Sequence, residues 1–325
     1  MINEFTSGLS AYINGFLEEK RALGYKYEYD ERLLHQFDKM CVENFPSINT
    51  VTQNAAFMWS TARPNEGKGG LCRRTGTIRE LARYINRQGV SAYILPNEYG
   101  KDTYHTRIPY VFTQEELLLL FEAAENLKIK ESQPITKLEI PILLRLIYAC
   151  GLRPNEGRTL LRKNIDLESG VILIQNSKRR KDRIVVMDES MLLICRVYDQ
   201  KIRCIIPNSD YFFPVINDIQ SSHGRNWLWN NMRKCLLSAG IIDGTESTYP
   251  RPYDLRHTFA THTMYRWLKE GKNLDNCLPY LSEYMGHECY RYTAYYIHLV
   301  PDFFPEILSR VQTKFEYIIP EVQDE

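Results

Sequence analysis

Several things are missing from this sequence, and each absence excludes a class of protein. No apolar run approaches the roughly 20 residues that a membrane helix needs, so no transmembrane span is expected. The start, Met1-Ile2-Asn3-Glu4-Phe5, has neither the basic residues nor the apolar core of a secretory signal. These two absences point to a cytoplasmic chain that does not engage a membrane. Eight cysteines are present, but no two form a CxxC pair. Their spacing fits neither a zinc site nor a disulfide framework, so reduced, mostly buried thiols and no metal are expected. Charge of one sign is not in excess either: 41 Lys and Arg face 40 Asp and Glu, a net charge of +1. This excludes a protein whose whole surface binds nucleic acid. A local basic face is still allowed, because binding depends on where the charges sit.

What is present is a 325-residue chain of ordinary globular composition, long enough for two domains. Residues 1–94 read as helical. Phe5, Leu9, Tyr12, Ile13 and Phe16 recur at three- and four-residue spacing, one apolar stripe. A second helix is predicted over 28–42, with Leu33, Leu34, Phe37 and Met40 on one face. A third starts near Thr52, and Pro64, Gly67, Gly69 and Gly70 mark a loop. Thr77-Ile78-Arg79-Glu80 has the form of a capping box, which starts the next helix at Thr77. Arg79, Arg83 and Arg87 follow at four-residue steps, with Arg73 and Arg74 just upstream. They read as a phosphate-tracking face; a plain solvated helix face is the alternative.

Residues 95–109, with Pro96, Asn97, Gly100 and Pro109, form a linker. A second domain then spans 110–300. Thr113-Gln114-Glu115-Glu116 caps its first helix. A helix over 140–148 stops at Gly151, and Pro154 suits the first position of the next one. Two β-branched runs, 171–174 and 184–187, flank the basic stretch 176–183, which predicts a β-hairpin. Further helices are predicted over 227–239, 255–270 and 278–285. The fold class is mainly α with a small β-hairpin.

Four segments carry the chemistry: Gly151-Leu152-Arg153-Pro154-Asn155-Glu156, the basic hairpin tip around Lys178, Tyr253-Asp254-Leu255-Arg256-His257, and Met285-Gly286-His287 followed by Thr293, Tyr296 and His298. In this order and spacing they resemble the tyrosine recombinase (phage integrase) family, over residues 110 to 300. The family pattern runs GLRxxE, a hairpin lysine, HxLRHxFAT, LGH and TxxYxH.

The resemblance implies a site-specific DNA recombinase that breaks and rejoins strands through a 3′-phosphotyrosyl link to Tyr296, without metal, ATP or other cofactor. Arg153 and Arg256 would clamp the scissile phosphate. A planar guanidinium can donate two hydrogen bonds to a phosphate, and fixed charge there favours the transition state. Lys178 would protonate the leaving 5′ oxygen, and His287 would donate to the same phosphate. Glu156 would orient Arg153, while Arg179, Arg180, Lys181 and Arg183 would bind DNA. Tyr253 departs from the pattern, which has histidine there. A phenol, with a pKa of roughly 10, can donate to phosphate but is a poor base, so the general base is left unassigned. His257 points elsewhere if its helix is regular and reads as a supporting residue.

The implied assembly is a two-domain clamp on double-stranded DNA: a helical core-binding domain and a mixed α/β catalytic domain, four protomers on two DNA sites. No separate arm-type domain is expected ahead of the first. The tail, 301–325, carries Phe303, Phe304, Ile307, Leu308 and Val311 and would dock into a neighbouring protomer. Tyr253 and the Tyr-Tyr-x-His ending resemble recombinases of transposons and other mobile elements. Two alternatives stay open: a type IB topoisomerase, and a weakened DNA-binding subunit serving a paralogous recombinase.

Overall fold

The computed structural model describes residues 4–99, 108–129, 133–175, 182–246 and 248–296. The expected hairpin tip, with Lys178, Arg179, Arg180 and Lys181, lies outside them, as do His298 and the tail from 301. The chain divides into two compact units, Met1–Arg107 and Ile108–Glu325. None of the described helices is long and apolar enough to cross a membrane.

The first unit is built from α1 (Ser10–Ala22), α2 (Glu28–Asn44), α3 (Gln53–Ser60) and α4 (Lys68–Arg87). The predicted stripe residues Leu9, Ile13 and Phe16 are buried, with Leu34, Phe37 and Trp59. Thr52 caps α3, its hydroxyl accepting from Ala55 N at 3.3 Å. One expectation fails. The fourth helix does not start at Thr77 but at Lys68, nine residues earlier, after an extended Gly67. Thr77 is buried mid-helix, and its hydroxyl donates to Asp30 on α2 at 2.7 Å. Packing of α4 against α1, α2 and α3 outweighs the roughly 1 kcal/mol that each helical glycine costs. Gly69 and Gly70 are therefore helical rather than a loop.

The second unit holds α5 (Gln114–Glu125), α6 (Thr136–Ala149), α7 (Pro154–Arg158), β1 (Val171–Ile174), β2 (Arg183–Val186), α8 (Glu189–Ile205), β3 (Pro214–Val215), β4 (Asp218–Ser222), α9 (Arg225–Ser238), α10 (Pro252–Lys269), α11 (Leu274–Met285) and α12 (Tyr290–Ala294). Thr113 forms the predicted capping box with Glu116 at the start of α5. Strands β1 and β2 pair antiparallel, from Val171 opposite Val186 to Ile174 opposite Arg183. Ile172, Ile174 and Val185 point into the core, while Ile184 and Val186 are exposed, the alternation of a half-buried ribbon. Two elements were not expected from the sequence: α8, capped by Asp188, and the β3–β4 hairpin. The core runs through α5, α6, α8 and α9, and α10 packs on α6.

Two glycines set the geometry of the site. Gly151 ends α6 with φ +60, and a Cβ there would meet Phe259 Cδ1 at 2.5 Å. Gly286 ends α11 with φ +63, and a Cβ would lie 3.1 Å from Arg183 Cδ. Both adopt the left-handed conformation that glycine takes without steric cost. At Gly286 the amide of His287 donates to Ser282 O at 2.9 Å, the longer bond of a Schellman ending.

Candidate active site

Three chain segments converge in the second unit: the start of α7, the first turns of α10, and the turn from α11 into α12. Arg153 precedes Pro154, and Glu156 sits one turn into α7. Glu156 Oε2 accepts from the Arg153 backbone N–H at 2.8 Å, and Oε1 from Arg153 Nη1 at 2.7 Å. The second nitrogen of Arg153, Nη2, donates to Gly286 O at 2.5 Å. A carboxylate and a carbonyl thus hold the guanidinium by both ends. Burial opposes ionisation of Glu156, but Arg183 and Arg153 outweigh it and hold its carboxyl at about 2.

Arg256 lies deeper. It is fully buried, with Nη1 donating to Gly151 O at 2.6 Å and Nη2 to Met285 O at 2.5 Å. Burial lowers its pKa to about 10, so it still carries its charge near neutral pH. Its buried Nε has no partner among the described residues, so that N–H is uncommitted. The Gly286 turn is therefore tied to both arginines, one through Met285 O and one through its own carbonyl.

A cavity of about 270 Å³ opens in front of this layer. Arg153, Tyr253, His257, His287, Tyr295 and Tyr296 line it. Tyr296 is only 3% exposed, whereas Tyr295 is 38% exposed. The Tyr296 Oη lies 2.9 Å from His257 Nδ1. Burial pushes the Tyr296 phenol above the usual tyrosine range, with Arg256 pulling the other way. His287 Nδ1 sits 2.8 Å from Thr293 Oγ1. With the hydroxyl donating, the ring proton is left on Nε2, free to donate elsewhere. Burial, then the charges of Arg256 and Arg153, depress His287 to about 3, so its ring is neutral. A buried phenol and a guanidinium lining one cavity, with the charge of Arg256 acting on that phenol, can bind a phosphodiester and present an oxygen nucleophile to it.

The placements correct three expectations. Arg183 does not face DNA: it is buried, its Nη1 and Nη2 donate to Glu156 at 2.8 and 2.6 Å, and its Nε donates to Tyr284 O. It ties the hairpin base to the carboxylate that holds Arg153. His257 does not point elsewhere: its ring faces Tyr296, because Tyr296 folds back over the first turns of α10. In the first unit, Arg74 is not a phosphate ligand. It is buried against Trp59, its Nε and Nη2 donating to Glu66 at 2.8 and 2.6 Å.

The other basic candidates on α4 are partly exposed but engaged within their own unit. Arg73 pairs with Asp30, Arg83 with Glu80 and Arg87 with Glu19. Arg79 donates to the carbonyls of Leu95, Pro96 and Tyr99 and closes the chain leaving the unit. Among the described residues, no group of three or more His, Cys, Asp or Glu could hold a metal ion.

The model of the phage integrase family matches residues 110–302, more than half of the chain. The chain belongs to this family. As a tyrosine recombinase by family, it is 28% identical to tyrosine recombinase XerC of Oceanobacillus iheyensis, over 90% of this chain and 93% of that protein. It is 26% identical to a Sinorhizobium fredii protein named as a candidate integrase or recombinase, y4rB, over 94% and 97%. The fold is shared with two solved structures at lower identity. One is the XerH site-specific recombinase in a post-cleavage complex with its palindromic difH substrate (TM-score 0.61, 20% identity, 85% of this chain and 77% of that one). The other is the Tn1549 transposon integrase with transposon right-end DNA (TM-score 0.60, 15% identity, 92% and 98%).

Proposed function

We propose that this tyrosine recombinase cuts and rejoins double-stranded DNA at specific sites, with Tyr296 as its nucleophile. The observation that carries the proposal is the buried phenol of Tyr296 in one cavity with Arg153 and His287, with Arg256 directly behind. Tyr296 attacks the phosphorus, its oxygen replaces the 5′ oxygen, and the 3′ phosphate stays on the enzyme. The phosphotyrosyl ester conserves the bond, so ligation needs no nucleotide. Arg153 and the Nε of Arg256 supply donors to the non-bridging oxygens, and His287 supplies a third through Nε2. Lys178 is assigned the general-acid role by the family pattern alone.

DNA binding is proposed from the neighbours solved with DNA; assembly of four protomers on two sites is proposed from the family pattern alone. The mobile-element role is proposed from Tyr253 and the Tyr-Tyr ending. Named relatives include both Xer recombinases and a transposon integrase, so the natural substrate decides that part.

The test is covalent trapping on nicked duplexes carrying the recombination site, recovered by selecting random-sequence DNA on the protein. The short 5′-hydroxyl fragment diffuses away and the adduct accumulates. Wild type should give an adduct on a denaturing gel and Tyr296→Phe none. An adduct that survives in Tyr296→Phe and disappears in Tyr295→Phe would move the nucleophile to Tyr295. Tight, specific binding with no adduct from wild type would favour the accessory-subunit alternative.

A further inference from the structure

We propose that His257 is the general base of the cleavage step, taking the phenolic proton of Tyr296 on Nδ1, the role that Tyr253 cannot fill. This rests on the reading of Tyr296 as nucleophile and adds the group that activates it.

His257 Nδ1 and Tyr296 Oη are 2.9 Å apart, within the reach a general base requires. A phenol is the better donor and an unprotonated ring nitrogen the better acceptor, so the phenol donates to Nδ1 and the ring proton sits on Nε2. Tyr253 and His287 are worse placed. Tyr253 is 40% exposed and stacks obliquely on His257, ring centroids 4.9 Å apart; its phenol is a weak base. His287 has its Nδ1 engaged by Thr293, and its ring lies 6.1 Å from that of Tyr296. Glu288 lines the same cavity and is the one carboxylate rival there among the described residues.

The electrostatics set the resting state of the ring. Among the described residues, the groups acting on His257 are Arg251 just ahead of α10, Tyr253 and Arg256 on α10, Tyr296 after α12, and His287 from the Gly286 turn. Burial, then the charges of Arg256 and Arg251, hold its pKa near 4. The ring is therefore neutral at physiological pH with its Nδ1 lone pair available. A bound phosphodiester brings negative charge against Arg256 and Arg153, which lessens the repulsion on a nascent imidazolium as the transition state forms.

The Tyr296 Oη–P bond forms while the Oη–H bond breaks and its proton moves to Nδ1. The P–O5′ bond breaks and the leaving oxygen takes a proton from the general acid, the role given above to Lys178. On ligation the incoming 5′ hydroxyl gives its proton back to that general acid and attacks phosphorus, the Tyr296 Oη–P bond breaks, and His257 returns its proton to the Tyr296 oxygen.

The test compares single-turnover adduct formation by full-length wild type, His257→Gln, His257→Asn and Glu288→Gln on the nicked duplex between pH 6 and 10. His257→Gln should be slower by about 10²–10⁴-fold near neutrality. Its rate should climb about tenfold per pH unit towards wild type, as hydroxide supplies the phenolate. His257→Asn, whose amide oxygen can hold the phenol but not take its proton, should be equally slow. Unchanged rates in His257→Gln would overturn the proposal. So would a slow rate that ignores pH, rescue by His257→Asn (positioning only), or a loss confined to Glu288→Gln. Should the variants not fold, ¹⁵N NMR of the wild-type histidine rings reads the tautomer directly: an unprotonated Nδ1 on His257 is expected, and a protonated one overturns the idea. Wild type giving no adduct would instead remove the underlying reading of Tyr296.

Discussion

Glu156 is where a single atom change should do the most damage, and Glu156→Gln measures it. The carboxylate accepts two hydrogen bonds from Arg183 and two from Arg153. The side chains of Glu156 and Arg183 are only 10% and 6% exposed. The variant leaves the shape intact but places a neutral amide against a buried guanidinium. Holding the carboxyl at about 2 instead of roughly 4.3 corresponds to about 3 kcal/mol at 1.36 kcal/mol per unit. This agrees with the roughly 3–5 kcal/mol lost when one partner of a buried pair is removed. The variant should therefore be destabilised by about 3 kcal/mol at pH 7, read by urea unfolding with hydrogen exchange followed on peptides from Ile108 onward.

The pH dependence has a definite sign. A carboxyl with a depressed folded-state pKa contributes fully above its unfolded value and loses that contribution as pH falls through its folded value. The gap between wild type and Glu156→Gln should be constant above about pH 5 and close between roughly pH 4 and pH 2. Equal stability at pH 7, or a gap that does not close in acid, would refute the pairing as a source of that stability. Glu156→Asp, which keeps the charge on a shorter stem, should fall between the two.

Other outcomes follow from the same structure. Arg153→Lys keeps the charge but loses the planar fork, and should slow adduct formation on the order of 10²–10³-fold with little change in DNA affinity; a rate within threefold of wild type would show that charge alone suffices. Gly151→Ala must accommodate both φ +60 and a Phe259 contact at 2.5 Å, so a loss of about 2–4 kcal/mol is expected from strain and overpacking; unchanged urea midpoints would contradict it. Arg74→Leu should weaken the first unit against urea but leave the salt dependence of DNA binding unaltered, because its guanidinium is spent on Glu66. Arg83→Ala, truncating an exposed side chain, should cost under about 0.5 kcal/mol of stability. If that arginine meets a phosphate, the salt slope should drop by about 1, and an unchanged slope would exclude the contact.

Much of this protein was readable from local pattern. The capping box at Thr113, Pro154 at a helix start, the β-branched pair of strands and the glycines after α6 and α11 are each decided by backbone conformation within a few residues, and sequence reports that directly. The four segments in order also pointed to the family, since their chemistry recurs at fixed spacing. Which arginines are tools and which are fasteners was decided only by the tertiary structure. Arg153, Arg183 and Arg256 look alike in the sequence. Arg183 is bound to a carboxylate 27 positions away and to a carbonyl 101 positions away, and Arg256 to carbonyls 105 and 29 positions away. Arg74 looked like a DNA ligand until Glu66 and Trp59 enclosed it. The start of α4 was misjudged because Thr-x-x-Glu has the same letters whether the threonine caps a helix or donates sideways to Asp30. His257 could not be paired with Tyr296 from spacing either, because a contact across 39 residues depends on how the chain after α11 folds back over α10. Short-range preferences set the elements and their ends; burial and charge pairing, which need the assembled core, set what each charged side chain is for.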